Sequence, residues 1–311
     1  MWIYFWPITL LALLNIVANS HIKESKLTQL PILADPIAPD WKNIELPDAW
    51  PDQLNFKRPN DLLVFLRSIL KRKNRKVRLP ERFIYQQILP KYLLQEFHNL
   101  PNGNYSNKIT RGYTRGFDIA MLGKMTAARK HIASWLAGSS SALDVGCGGG
   151  QMTSALKNAG VNDVWGLDPS PYLLKHAANK YPNIHFIQGL AERLEFPDQR
   201  FCGITACFVF HEIPPTYTHR ALTEFSRVLK PGGLLAICEP SSIQYERGWF
   251  HMLWKYGLNG VYFKQLAHFV YEPFVHAWHK QDICKLLEVH GFTIIKNEKS
   301  MPTHCILAKK S

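Results

Sequence analysis

The chain has 311 residues, 46% of them hydrophobic and 20% charged, which excludes a disordered tail and leaves enough apolar material for a sizeable core. Its formal net charge of +13 points to an anionic partner, either nucleic acid or a membrane surface. Its six cysteines, Cys147, Cys202, Cys207, Cys238, Cys284 and Cys305, form no C-x-x-C pair. Several fall in strand- or helix-like runs and read as small buried hydrophobes, a pattern that suits a reducing compartment, with neither a disulfide framework nor a zinc site.

Met1 to Ala18 reads MWIYFWPITLLALLNIVA and carries no charged side chain. As a helix, 18 residues would span roughly 27 Å, near the hydrocarbon thickness of a bilayer. Trp2, Tyr4 and Trp6 would sit at one interface, and Lys23 and Lys26 follow the apolar run. The positive-inside rule then places the C-terminal side in the cytoplasm. A cleaved signal is the competing reading, because Ala18-Asn19-Ser20 offers small residues, but no basic n-region precedes the apolar run. We therefore expect residues 1–20 to be a membrane anchor or signal segment, residues 21–104 a linker with a basic helical extension, and residues 105–311 the main domain.

Residues 31–60 hold Pro31, Pro36, Pro39, Pro47, Pro51 and Pro59 mixed with acids. That composition predicts an extended connector, tacked down by Trp41 and Trp50. Leu62, Leu63, Val64, Leu66, Ile69 and Leu70 follow helical spacing, and a basic run from Lys71 to Arg82 comes next. Three readings stay open for this segment: anionic headgroups, a solvated loop, or a nucleic-acid patch. No nucleic-acid-binding motif accompanies it, so nucleic acid is not expected as a partner. Residues 113–137 then show helical periodicity through Phe117, Met121, Met125, Ala128, Ile132 and Trp135.

The chain is organised around Ala142-Leu-Asp-Val-Gly-Cys-Gly-Gly-Gly150. A strand-like run ends at Asp144, glycines follow, and a helical pattern starts at Gln151. Strand, glycine turn and helix make a nucleotide-cradling loop. No register completes the G-x-G-x-x-G of a dinucleotide site. A carboxylate at Asp144 would repel a pyrophosphate and suit a ligand with an amino group and a positive sulfur. The spacing Asp144-x-Gly146-x-Gly148 resembles motif I of the class I S-adenosylmethionine (SAM)-dependent methyltransferases.

More residues extend the resemblance. Val164-Trp-Gly-Leu-Asp168 is a second strand ending on an acid, where a bidentate acceptor can take both ribose hydroxyls. Pro169-Ser170-Pro171 also makes Asp168 a helix-capping candidate. His185 to Gly189 is a third strand. Leu190-Ala-Glu-Arg-Leu-Glu-Phe-Pro197 resembles the D-A-E-x-L-P-F segment of the ubiquinone/menaquinone-biosynthesis C-methyltransferase-like group, with Leu190 where that group has its adenine-binding Asp. Cys202 likewise stands where the group has an acid, at the start of the fourth strand, Phe201 to Phe210. Arg227-Val-Leu-Lys-Pro-Gly-Gly233 matches the group's turn into a fifth strand. Lys280 to His290 read as the last helix, followed by a closing hairpin.

The resemblance covers roughly residues 105–309 and implies an α/β fold: a doubly wound, seven-stranded Rossmann-like sheet with a closing antiparallel hairpin. The N-terminal apolar helix and helical extension precede it. It implies SAM as cofactor, with Asp144, Gly146, Cys147 and Gly148 at the methionine end, Asp168 at the ribose, and Gly189 and Ala191 flanking adenine. Tyr105, Arg111, Tyr113 and Arg115 are candidates to face the pocket, an Arg pairing with the cofactor carboxylate. His211, at a strand's carboxyl end, is the candidate general base, although proximity and orientation alone can drive methyl transfer. Aromatics crowd residues 241–278, implying a large apolar or ring-bearing acceptor, lipid or quinone-like, or else core filling under a helical layer. Leu190 and Cys202 keep open a non-catalytic binding module on the same fold. A nucleic-acid methyltransferase would rest on the basic segment, but the chain has no Asn/Asp-Pro-Pro-Tyr/Phe motif.

Overall fold

In the computed structural model, residues 31–70, 76–81, 83 and 89–311 are described. The expected anchor, Met1–Ala18, lies outside them, as do Lys71, Arg72, Lys73, Arg75 and Arg82 of the basic run. Among the described residues, no helix is long and apolar enough to cross a membrane.

Seven strands form one sheet: β1 (Ser141–Val145), β2 (Asp163–Asp168), β3 (His185–Gln188), β4 (Phe201–Cys207), β5 (Leu229–Pro240), β6 (Phe292–Lys299) and β7 (Thr303–Lys310). Their order is β3-β2-β1-β4-β5-β7-β6. The first five run parallel, and β7 inserts antiparallel between β5 and β6. Sequence reasoning reaches this because β1 and β4 are nearly continuous apolar runs, as strands covered on both faces must be. The direction of winding changes between β1 and β4, so the crevice beyond their carboxyl ends is the natural ligand site.

The helices are α1 (Pro59–Leu70), α2 (Asn107–Ala120), α3 (Lys124–Ser134), α4 (Gln151–Asn158), α5 (Pro171–Lys180), α6 (Pro215–Val228), α7 (Ile243–Glu246), α8 (Trp249–Phe269), α9 (Val275–His279) and α10 (Ile283–Glu288). The single helix expected over 113–137 is two. Leu122 and Gly123 both adopt positive φ between α2 and α3, which ends one helix and restarts the next. The last helix is shorter than expected, starting at the Asp282 cap. Ser170 accepts the Leu173 N–H and Pro171 opens α5, so that helix begins where its capping residues dictate.

Leu33–Ser311 forms one compact unit, so the boundary expected at residue 105 falls inside it. The proline-rich segment is not a free connector. Trp41 is buried against Cys147, Leu174, Ala177 and Phe186, and its indole N–H donates to the Phe186 carbonyl at 2.9 Å. The buried Asp52 accepts from the Ser106 hydroxyl (2.7 Å) and the backbone N–H groups of Asn107 (3.1 Å) and Lys108 (2.7 Å), capping α2 from a distance in sequence. Composition pointed to extension correctly, but backbone and indole groups found partners on the domain surface.

Candidate active site and cofactor cavity

The loop after β1 is built from left-handed glycines. Gly146 has φ 68°, and a Cβ there would meet Val209 Cγ2 at 2.5 Å. Gly149 is pinned for a different reason: its Cβ would meet Thr114 Cγ2 of α2 at 2.4 Å. The loop therefore lies tight between the start of α4 and the α2 helix that roofs it. Cys147 is buried in this loop, its N–H bonded to the Leu167 carbonyl at 2.9 Å.

Asp168, at the tip of β2, is buried beside the loop. Its Oδ2 accepts the Gly148 N–H at 2.9 Å and its Oδ1 accepts the Ser170 N–H at 2.8 Å. Burial pushes this carboxyl up to about 7, against the pull of those two N–H groups. Each oxygen still has a second lone pair. Both roles weighed from sequence, capping and ligand acceptance, are chemically open to it.

One cavity runs along this ledge. Gly146, Cys147, Gly148, Asp168, Leu190 and Ala191 are among its walls, roofed by Tyr105 and Tyr113. Three expectations need correction. Asp144 does not reach the cavity: it is buried behind the loop, with Oδ2 accepting from Thr153 Oγ1 at 2.7 Å and Oδ1 from Thr205 Oγ1 at 2.8 Å. Both oxygens are satisfied from within, and burial raises its carboxyl to about 6. Gly189 does not line the cavity either; its missing Cβ makes room for Leu167, 2.8 Å from where that atom would sit. Leu190, the residue that departs from the expected acid, takes the wall position beside Ala191.

His211 is the third correction. It is fully buried and lines no described cavity. Its Nδ1 is 2.6 Å from Glu239 Oε2. Burial works to keep the ring neutral, but Glu272, Glu239 and Glu212 outweigh it and raise its pKa to about 9. An imidazole so placed is a poor proton acceptor from a substrate.

Arg111 and Arg115 face a different, more open hollow beside Thr114 and His176. The cation on the cofactor cavity is Arg129 of α3, buried and paired with Asp118 at 2.8 Å. Sequence reasoning missed it because α3 was merged with α2, which hid the face on which Arg129 sits.

A second cavity, of ≈ 420 Å³, abuts the first. Tyr113, Phe117 and Phe208 belong to both linings. Its far walls are apolar, from Phe65 and Ile69 of α1 and Phe263, Leu266 and Val270 at the end of α8 and beyond. Its polar end carries His98 and Glu272. The aromatics of 241–278 divide accordingly. Phe263 and Tyr245 line this cavity, Trp278 stacks on Phe210 in the core at 5.1 Å, and Trp249, Phe250 and Trp254 are exposed.

Comparison with known proteins fits this geometry. A methyltransferase-domain family model matches residues 142–233. An uncharacterized methyltransferase of Synechocystis is 33% identical over 161 residues, covering 50% of this chain and 67% of that protein. The chain belongs to the class I SAM-dependent methyltransferases. Within that family the methyltransferase is 39% identical over 98 residues to a demethylmenaquinone methyltransferase of Chlorobaculum tepidum. It is 30% identical over 139 residues to a ubiquinone/menaquinone biosynthesis C-methyltransferase of Campylobacter jejuni. These matches cover 32% and 43% of this chain, but only 40% and 57% of the two relatives' own length.

The cavity of the methyltransferase suits SAM, its cofactor, on grounds internal to the structure. In the Gly146–Gly150 turn a Cβ at Gly146 would collide with Val209, while the space beside the cavity-lining Gly148 is open. The Asn104 side-chain oxygen is buried on the cavity wall with no hydrogen-bond partner, an acceptor waiting for a ligand N–H or O–H.

Proposed function

We propose that this methyltransferase alkylates an apolar, ring-bearing acceptor held in the ≈ 420 Å³ cavity, which shares a wall with the cofactor cavity. That shared wall, Tyr113, Phe117 and Phe208, is the single observation that carries the proposal. When bound, SAM supplies a methyl group on a cationic sulfur. In this assignment Asp168 accepts the ribose hydroxyls, Leu190 and Ala191 pack on adenine, the Gly146–Gly148 backbone meets the methionine end, and Arg129 faces its carboxylate. Asp144 stiffens the loop from behind through Thr153 and Thr205. Tyr113, Phe117 and Phe208 exclude water and aim the acceptor's nucleophilic atom at the methyl. Catalysis then rests on proximity and a dry surface, the acceptor gaining CH₃ and losing a proton to solvent.

The acceptor class is supported by the cavity's apolar walls and by the demethylmenaquinone methyltransferases among the relatives. A membrane source for it is supported by exposed apolar side chains on α1 and α8, the two helices whose other residues line the cavity. Phe250, Trp254 and Leu258 of α8 are 81%, 81% and 82% exposed, and Leu62, Leu63, Val64 and Leu66 of α1 are exposed beside the cavity-lining Phe65. Surface apolar side chains at this density are what a membrane-docking face needs. We propose that the enzyme works at the cytoplasmic surface of a bilayer, anchored by Met1–Ala18 and the basic run.

Incubating the full chain with methyl-labelled SAM and a membrane lipid extract tests the acceptor. Label should pass into an organic-soluble product with an aromatic or quinol-like ring. Label found only in water-soluble or nucleic-acid fractions would sink the proposal. Flotation with liposomes of a chain lacking Met1–Ala18 tests the docking face: Phe250→Ser with Trp254→Ser should weaken the remaining binding, and unchanged binding would remove that face.

A further inference from the structure

Between the two cavities lies a buried cluster that the methyl-transfer scheme does not use. His98 Nε2 is 3.1 Å from Glu212 Oε1 and 3.8 Å from Glu272 Oε1. His211 Nε2 is 4.0 Å from the same Glu212 oxygen and 3.7 Å from the same Glu272 oxygen. Ligand-type atoms of His98, His211 and Glu212 all fall within 4.8 Å of one another. We propose that His98, His211, Glu212 and Glu272 form a binding site for one divalent transition-metal ion of the Zn²⁺ class.

The decisive atom is His211 Nε2. It is fully buried, points into the cluster and has no hydrogen-bond partner. The carboxylate oxygens nearest to it, at 3.7 and 4.0 Å, are too far for a hydrogen bond. A proton on that nitrogen would face carboxylates yet reach no hydrogen-bond acceptor. A lone pair there is a metal ligand. Two ligands on one tetrahedral ion lie roughly 3.3 Å apart, so the His–carboxylate distances of 3.1 to 4.0 Å, in a ligand set within 4.8 Å, contract toward that value as the side chains close on an ion.

The surroundings match the second shell of such a site. Glu239 accepts from His211 Nδ1, fixing the tautomer that leaves Nε2 bare, as the carboxylate–histidine–metal arrangement requires. Glu239 is itself oriented by the N–H groups of Val209 and Phe210, each at 2.8 Å. The Tyr245 hydroxyl donates to Glu272 Oε2 at 2.9 Å, leaving Oε1 for the cluster. Three carboxylates, Glu212, Glu239 and Glu272, face the two imidazoles at 2.6 to 4.0 Å, so the cluster offers an excess of negative charge to a cation. His98 is delivered in a left-handed backbone conformation, φ 56°, held by its N–H to the Tyr271 carbonyl. The N₂O₂ donor set favours Zn²⁺, Fe²⁺ or Mn²⁺ over Mg²⁺ or Ca²⁺. The ligands come from three separated segments, at His98, His211-Glu212 and Glu272, which is why no sequence spacing announces them.

The test uses the full chain purified in detergent, stripped with a chelator and dialysed against Zn²⁺, with Co²⁺ as a spectroscopic probe. One equivalent per chain is expected, with visible ligand-field bands for Co²⁺. His98→Ala and Glu272→Gln should weaken binding at least tenfold, and Glu239→Gln about tenfold or more through the second shell. His98 and Glu272 are chosen because His211 packs in the core. Failure of the parent chain to bind Zn²⁺, or binding equal in the parent and the His98→Ala/Glu272→Gln variant, overturns the proposal. Calorimetry with SAM on the same proteins reads the cofactor site separately, so neither result can stand in for the other.

Discussion

The carboxylate of Asp168 accepts the backbone N–H of Gly148 at 2.9 Å. The acid at the tip of β2 and the glycine loop after β1 are thereby one structure, although 20 positions separate them. A ligand that engages one engages the other.

Replacing Asp168 by Ala should lower SAM affinity about 10- to 100-fold, as loss of hydrogen bonds to a charged acceptor worth roughly 1.5–3 kcal/mol implies. Isothermal titration calorimetry reads this. Asp168→Asn should lose less, since its amide oxygen still accepts. An unchanged affinity in Asp168→Ala removes the ribose assignment.

The same residue sets a pH dependence. Burial holds its carboxyl at about 7, and only the ionised form accepts both ribose hydroxyls without a competing proton. SAM affinity should therefore rise as pH increases through about 7 and flatten above it. In Asp168→Ala that rise should vanish. A rise of the same size in the variant would assign it to another group.

Asp144 makes the opposite prediction. Asp144→Asn should leave SAM affinity within about twofold, because the side chain faces Thr153 and Thr205 instead of the cavity. Its effect belongs to stability. Its folded value, about 6, is raised above the unfolded one, so its contribution is fully present below the unfolded carboxylate value and is lost as pH rises through about 6. The loss amounts to roughly 3 kcal/mol. Urea unfolding of the Asn variant should show that much less decline between about pH 4 and pH 7. A large drop in SAM affinity would restore a direct ligand contact.

Arg129 is separable from the rest of the site by choice of ligand. Arg129→Ala should weaken SAM about tenfold or more, yet leave 5′-methylthioadenosine, which has no carboxylate, nearly unaffected. Equal losses for both ligands would make Arg129 a structural partner of Asp118 only.

Much of this was legible in the sequence, for reasons particular residues make plain. The parallel strands announced themselves as apolar runs ending on Asp144 and Asp168, and the glycines after Val145 could only serve a close turn. What stayed hidden was direction. Asp144 and Asp168 both close apolar runs, yet Asp144 pairs with Gly166, two positions short of Asp168, and turns behind the loop to the hydroxyls of Thr153 and Thr205, whereas Asp168 at the end of β2 lies along it. Gly189 looked like a wall and is a notch for Leu167. Arg129 was concealed by the break at Leu122 and Gly123, which periodicity alone ran through. Trp41 fastens the proline-rich stretch as its indole led one to expect, whereas the buried carboxylate of Asp52, which also holds it, looked like one acid among several.

The most direct measurement fills the second cavity. Ala267 of α8 lines it and is absent from the cofactor cavity. An Ala267→Trp variant should retain SAM affinity while transfer of labelled methyl into the organic-soluble product falls at least tenfold. Undiminished transfer in that variant would contradict the account, since the acceptor would then be bound somewhere else.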